Sequence, residues 1–303
     1  MNSFQNILVG LDDSDASKQA LKQAAEIAKV ESAGLFVLHA ISPQELEDIQ
    51  AYHSLSMDEI LDGVKKGIRA SVDEVLGDGN AAVCKVYIGS PYLELKRAAE
   101  TLECDLLVLG SRGDYASQGS TGFFAARCAR HAPLPVLLVR QRQKETFRRI
   151  VACVDFSDVT EDVIRNAAQV ALDDDASLQV IHAASPPWMR SAHVLYNLRT
   201  VENNDYKAQF REMSESRMDA AIRSAAKLFP SKIDHAIIEH PNPGQGILDY
   251  LEEKNADLAV VGRSGNTGHA IKEFFIGSTA ERLVHRSICS VLTVPLQKSP
   301  SWF

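Results

Sequence analysis

The most constraining feature of this 303-residue chain is that it states its pattern twice. The run Ile7-Leu8-Val9-Gly10-Leu11-Asp12-Asp13-Ser14 returns 143 residues later as Ile150-Val151-Ala152-Cys153-Val154-Asp155-Phe156-Ser157. The same offset links Val37-Leu38-His39-Ala40 to Val180-Ile181-His182-Ala183, and an offset of 152 links Asp105-Leu106-Leu107-Val108-Leu109-Gly110 to Asp257-Leu258-Ala259-Val260-Val261-Gly262. Order is kept and the offset grows slowly, which marks one duplicated unit with insertions in its loops. Such a period is far longer than a solenoid repeat of about 20–50 residues. Each copy must therefore bury a core of its own, and the chain is long enough for two.

Within each copy, short Val/Ile/Leu runs alternate with helical spacing. Strands are expected at 7–11, 35–40, 83–88, 106–109 and 136–139, and again at 150–154, 178–183, 233–238, 258–261 and 291–294. Helical patterns cover 60–76, 93–102 and 123–131 of the first copy, besides one that follows the first strand. Continuous apolar strands separated by helices require a parallel sheet covered on both faces, hence an α/β fold. The charged run 141–149 lacks an apolar face and reads as a linker, which sets the domains at 1–141 and 149–303. A long irregular stretch follows each second strand, at 42–58 and 185–205. Surface excursions are the commoner role of such stretches, and lids the rarer one. The last strand of each copy is expected at a sheet edge, where exposed apolar strands tend to be paired.

A net charge of -8 argues against nucleic acid or an anionic membrane as the main partner. No apolar run reaches the length of a membrane span and no signal-like segment opens the chain, so a cytoplasmic protein is expected. Five cysteines, an odd number without a C-x-x-C pair, fit reduced structural thiols.

The residues that can carry chemistry follow the first and fourth strands of each copy. In the second copy, Gly262-Arg263-Ser264-Gly265 is followed after eleven residues by Gly277-Ser278-Thr279-Ala280-Glu281. A strand ending in glycine can turn sharply with its N–H groups aimed at an anion, and a helix opening at Gly277-Ser278 offers free N–H groups to phosphate. The alternative is that Ser278 and Glu281 merely form a capping box. The first copy has Gly110-Ser111-Arg112-Gly113, then eight residues, then Gly122-Phe123, so Phe123 stands where Ser278 stands. Ligands of doubly wound sheets bind at the strand ends where the winding reverses. If the first and fourth strands flank that point, Asp12 faces Gly110 and Asp155 faces Gly262. The alternative is that these aspartates, or Ser14 and Ser157, cap the following helix. His39 and His182 fit structural hydrogen bonds. No P-loop, zincin or hydrolase-elbow motif occurs.

Taken together, the strand-Asp-x-Ser openings, the Leu-His-Ala and Ile-His-Ala second strands, the Asp-Leu-x-Val-x-Gly fourth strands and His131-Ala132-Pro133-Leu134-Pro135-Val136 resemble the universal stress protein family, in its tandem form. The resemblance implies two Rossmann-like doubly wound domains, each with a five-stranded parallel sheet, that bind adenine nucleotide. Nucleotide-binding members carry G-x2-G-x9-G-[ST] after the fourth strand. Gly262, Gly265, Gly277 and Ser278 match its residue types, with Arg263, Ser264 and Thr279 between or beside them; Gly265 and Gly268 give a second register. Asp155 matches the ribose-side acid, and Ala183 the second-strand position lining the adenine pocket. Asp12, Ala40, Gly110, Gly113 and Gly122 are their counterparts in the first domain, a degenerate site. The resemblance thus implies a nucleotide-dependent stress-response regulator that binds ATP or a relative, with Mg2+, chiefly in the second domain. Assembly as an internal pseudo-dimer or a homodimer is expected. The rival readings are an interaction module without nucleotide and a slow ATPase or phosphotransferase, for which His269, Lys272 and Arg263 are the nearby polar side chains.

Overall fold

The computed structural model describes residues 4–53, 55–111, 122–140, 146–190, 204–225, 233–263 and 277–296. It divides into two compact units that part, residues 290–292 aside, between Thr146 and Phe147. The first unit runs β1 (Asn6–Gly10), α1 (Asp15–Glu31), β2 (Gly34–Ile41), α2 (Pro43–His53), α3 (Met57–Leu76), β3 (Val83–Ile88), α4 (Pro91–Thr101), β4 (Leu106–Gly110), α5 (Phe123–His131) and β5 (Val136–Val139). Its strands lie in the order β3-β2-β1-β4-β5, with parallel pairing throughout. The winding direction reverses between β1 and β4, where Ile7 is opposite Leu106.

The second unit repeats this with β6 (Arg149–Cys153), α6 (Thr160–Asp173), β7 (Ser177–Ala184), α7 (Pro187–Arg190), α8 (Asn204–Ala225), β8 (Asp234–Glu239), α9 (Pro243–Glu253), β9 (Leu258–Gly262), α10 (Ser278–Arg286) and β10 (Ser290–Val294). Its order is β10-β9-β6-β7-β8, with the reversal between β6 and β9. Each unit is thus a five-stranded parallel α/β sheet flanked by helices, as the alternating pattern requires.

Burial explains which residues form which strand. The central strands β1, β4, β6 and β9 are buried along nearly their whole length, and they are the continuous apolar runs. The outer strands β3 and β8 alternate or are half-exposed. The repeated aspartate before the fourth strand has a structural reason at the opposite end of the sheet from the site. Asp105 accepts from the Gln5 and Asn6 N–H groups at 2.7 and 3.3 Å. Asp257 does the same for Arg148 and Arg149 at 2.9 and 2.8 Å. Each carboxylate fastens the start of the neighbouring strand.

Three sequence expectations are corrected. Residues 42–58 are not irregular, because they hold α2 and the start of α3. Ser42 and Glu45 bond reciprocally around Pro43, which starts α2, and Leu46 joins Ile41 and Ile60 in a small core. The stretch 185–205 likewise contains α7 and the start of α8, with Trp188 edge-on to Phe210 at 5.3 Å; residues 191–203, including Tyr196, lie outside the described residues. The run 141–149 is not wholly without an apolar anchor, since Phe147 is 1% exposed and its N–H donates to Asp174 at 2.7 Å. Residues 141–145 and 297–303 lie outside the described residues.

Candidate functional site

Both units build the same turn after their first strand. Asp12 Oδ1 accepts from the Ser14 N–H and hydroxyl at 3.2 and 2.6 Å. Asp155 Oδ1 accepts from the Ser157 N–H at 3.0 Å and from its hydroxyl. The residue between is left-handed in each case, Asp13 at φ 63° and Phe156 at φ 58°. A histidine from the second strand braces each turn, His39 Nδ1 on the Leu11 carbonyl at 2.7 Å and His182 Nδ1 on the Val154 carbonyl at 2.8 Å. A carbonyl can only accept, so both Nδ1 atoms carry the proton. Burial also holds the His182 pKa below its ordinary value, which keeps the ring neutral.

The aspartates do not cap helices. Ser14 is the N-cap of α1, accepting from the Ser17 N–H. Ser157 has no such role, because α6 begins later, after Val159, and the Thr160 N–H donates to the Ser157 carbonyl at 3.0 Å. The proposed capping box of Ser278 and Glu281 is also absent. Gly277 is the N-cap of α10, which makes Ala280 rather than Glu281 the third helical residue, and no side chain caps this helix.

At each winding reversal the strand ends enclose a cavity. In the second unit it measures about 220 Å³, and Asp155, Ala183, Gly262, Gly277, Ser278 and Thr279 all line it. In the first unit it measures about 250 Å³, and Asp12, Ala40, Gly110 and Gly122 line it. Arg263 ties the site together through its backbone, donating from N to the Val294 carbonyl and accepting the Gly277 N–H at 2.9 and 3.0 Å. Ser264, Gly265 and Gly113 lie outside the described residues, as do Gly268, His269 and Lys272.

The glycines divide by function. A Cβ on Gly110 would meet the Ala16 backbone carbonyl carbon at 2.6 Å, and one on Gly262 would meet Val159 Cγ1 at 2.3 Å. These two let the helix that follows the first strand of each unit, α1 or α6, approach the end of the fourth strand. Gly277 is different: at φ −59° and ψ 149° any residue fits, and nothing among the described residues lies within 4 Å of a Cβ there. Among the described residues no side chain caps the first N–H groups of α10, and Ser278 lines the cavity beside them. The helix dipole favours an anion at such a place. In the first unit α5 also starts uncapped at Gly122, but its first side chain is Phe123, 82% exposed.

Two features escape a reading of the sequence. Phe156 stacks on His182 with ring centroids 4.3 Å apart, and the Arg217 guanidinium of α8 lies 4.6 Å from the Phe156 centroid. Thr160 lines the second cavity with its hydroxyl buried and, among the described residues, unpartnered. The repeat gave a signal for the latter, since the 143-residue offset sets Thr160 against the hydroxyl residue Ser17. Among the described residues no cluster of His, Cys, Asp and Glu is arranged to hold a metal ion. No described helix is long and apolar enough to cross a membrane. None of the five cysteines forms a disulfide; burial pushes the Cys104 and Cys128 thiols up to about 12.

A duplicated, doubly wound sheet with a cavity at each reversal defines a tandem Rossmann-like class of protein. Comparison with known proteins gives the family: the universal stress protein family model matches residues 3–140 and again 146–295, so the chain belongs to that family, twice over. A universal stress protein of Methanocaldococcus jannaschii is 28% identical over 158 residues, 50% of this chain and 84% of that protein. One from Mycobacterium tuberculosis is 33% identical over 149 residues, 46% of this chain and 98% of that protein. Among solved structures, a universal stress protein from Archaeoglobus fulgidus covers 96% of this chain and 98% of its own, with TM-score 0.67 and 23% identity. A protein of unknown function from Pseudomonas aeruginosa covers 97% and 93%, with TM-score 0.66 and 18% identity. These two likenesses show the fold.

Proposed function

We propose that this universal stress protein binds ATP or a related adenine nucleotide in its second unit, as a cytoplasmic, nucleotide-dependent regulator of the stress response. The observation that carries the reading is the start of α10, which no side chain among the described residues caps, and where Gly277, Ser278 and Thr279 line one cavity. Phosphates suit that helix start, and Asp155 suits ribose hydroxyls at the other side of the winding reversal. Gly262, Arg263, Ser264, Gly265 and Thr279 complete the proposed phosphate side, and Ala183 the adenine side. Mg2+ would bridge phosphate oxygens rather than occupy a cage of protein ligands. The first unit keeps Asp12, Ala40, Gly110 and Gly122 around a cavity but places Phe123 at the helix start, so it is proposed as the weaker or silent site.

Calorimetric titration of nucleotide-stripped protein with ATP and Mg2+ tests this. The expected result is one site per chain, with Ser278→Ala weakening it by about 1–3 kcal/mol, roughly 5- to 150-fold. Well-folded protein that binds no nucleotide would overturn the reading and leave the interaction module. ADP release that survives purification and disappears in Ser278→Ala would instead make the protein a slow ATPase. Self-association through the last strands is part of the same proposal and is read from sedimentation with and without nucleotide.

A further inference from the structure

Thr160 opens α6, is 9% exposed and lines the second cavity, yet its Oγ1 has no hydrogen-bond partner among the described residues. Buried hydroxyls are nearly always paired, because one left unpaired loses its bonds to water and gains nothing in return. The equivalent Ser17 of the first unit is fully used: its Oγ donates to the Ser14 carbonyl at 3.0 Å and accepts the Asp12 N–H at 3.3 Å. The difference lies in where the helices begin. Around Ser157 the chain makes an additional turn, and the Thr160 N–H, rather than its hydroxyl, takes the Ser157 carbonyl.

We propose that Thr160 contacts the nucleoside end of the nucleotide in the second unit and helps to set what that cavity accepts. This rests on the nucleotide reading given above. Charge argues against a phosphate at this hydroxyl: Asp155, Asp158, Glu161 and Asp162 crowd the turn, with Arg165 engaged to Glu161 and Asp162. The cavity walls Val163, Ile247 and Val261 are apolar and suit a flat neutral base. A hydroxyl both donates and accepts, so it can meet a ring nitrogen, an amino group or a sugar hydroxyl. Threonine has two ordinary χ1 rotamers in a helix, so its hydroxyl and methyl can exchange places.

The test is titration of the stripped full-length protein and its Thr160→Val and Thr160→Ser variants with adenosine, AMP and ATP–Mg2+, together with melting of each protein without ligand. Valine keeps the shape and removes the hydroxyl. Thr160→Val is expected to weaken every ligand that the wild type binds by the same factor, about 5- to 10-fold. It should also raise the melting temperature of the ligand-free protein, because the orphan group is gone. Thr160→Ser should keep wild-type binding. Unchanged affinity in Thr160→Val would overturn the inference and leave the nucleotide reading standing. A loss confined to ATP would place the hydroxyl at the phosphates and also overturn it. A wild type that binds none of the three would overturn the nucleotide reading, and this inference with it.

Discussion

The turns after β1 and β6 have the same skeleton and different flesh. Each has an aspartate accepting from a serine two residues on, a left-handed residue between them, and a histidine on the carbonyl just past the strand. In the first unit the left-handed residue is Asp13, which accepts from Ser71 at 2.7 Å and pairs with Lys18 at 3.2 Å. In the second it is Phe156, held between His182 and Arg217. A charged partner set has been exchanged for an aromatic one without disturbing the turn. The framework therefore depends on the Asp–Ser bond and the histidine brace, while the side chain between them is free to answer to its surroundings. Hydroxyl use follows the same logic: Ser17 serves the fold and Thr160 is left over.

Substitutions can press on this comparison. The largest effect is expected from Gly110→Ala, whose Cβ would strike the backbone of Ala16, an element that cannot move alone. A loss of about 1–3 kcal/mol is expected by urea denaturation. Gly262→Ala, which meets one Val159 methyl, should cost less, and Gly277→Ala should stay within about 0.5 kcal/mol. Equal losses for Gly110 and Gly277 would remove the division between packing glycines and site glycines.

The next contrast is between the serines. Ser14→Ala removes a helix cap and should cost about 1 kcal/mol, whereas Ser157→Ala removes no cap and should cost less. If the two losses match, the Asp–Ser bond rather than the cap holds both turns.

A smaller effect concerns His182. Its folded pKa lies below the ordinary 6.5, chiefly through burial. The unfolded chain therefore takes up the proton first as the pH falls through about 6.5, and stability declines from there until the folded ring also titrates. Above that window the residue adds no pH dependence, and His182→Gln should flatten the acid-side decline. Phe156→Asp, which copies the first turn into the second, uncovers the ring and brings a carboxylate near it. NMR titration should then show the His182 pKa rising; an unmoved value would mean that Phe156 does not shield it.

Much of this architecture was legible in the sequence because the central strands are buried on both faces and so announce themselves as apolar runs. Helix α2 was not, because among its residues only Leu46 is buried, and one buried side chain makes no stripe. The aspartates and glycines of the site could be read because the repeat marks them twice. The capping box at Ser278 was misread by one residue: with Gly277 as N-cap, the side chain expected at the third helical position falls at the fourth. For Thr160 the repeat shows only a hydroxyl residue set against Ser17. Its interest lies in lacking a partner, a property of packing that no residue type encodes. The Phe156 stack needs Arg217, which stands 61 residues further along the chain.

Having each cavity written by its own stretch of chain has an evolutionary consequence. Where identical subunits pair, every mutation is made in duplicate, and a change that spoils one site spoils its twin. Here the two copies are inherited together but vary separately. A phenylalanine can settle at position 123 while position 278 keeps its serine, and natural selection can judge the two on different grounds.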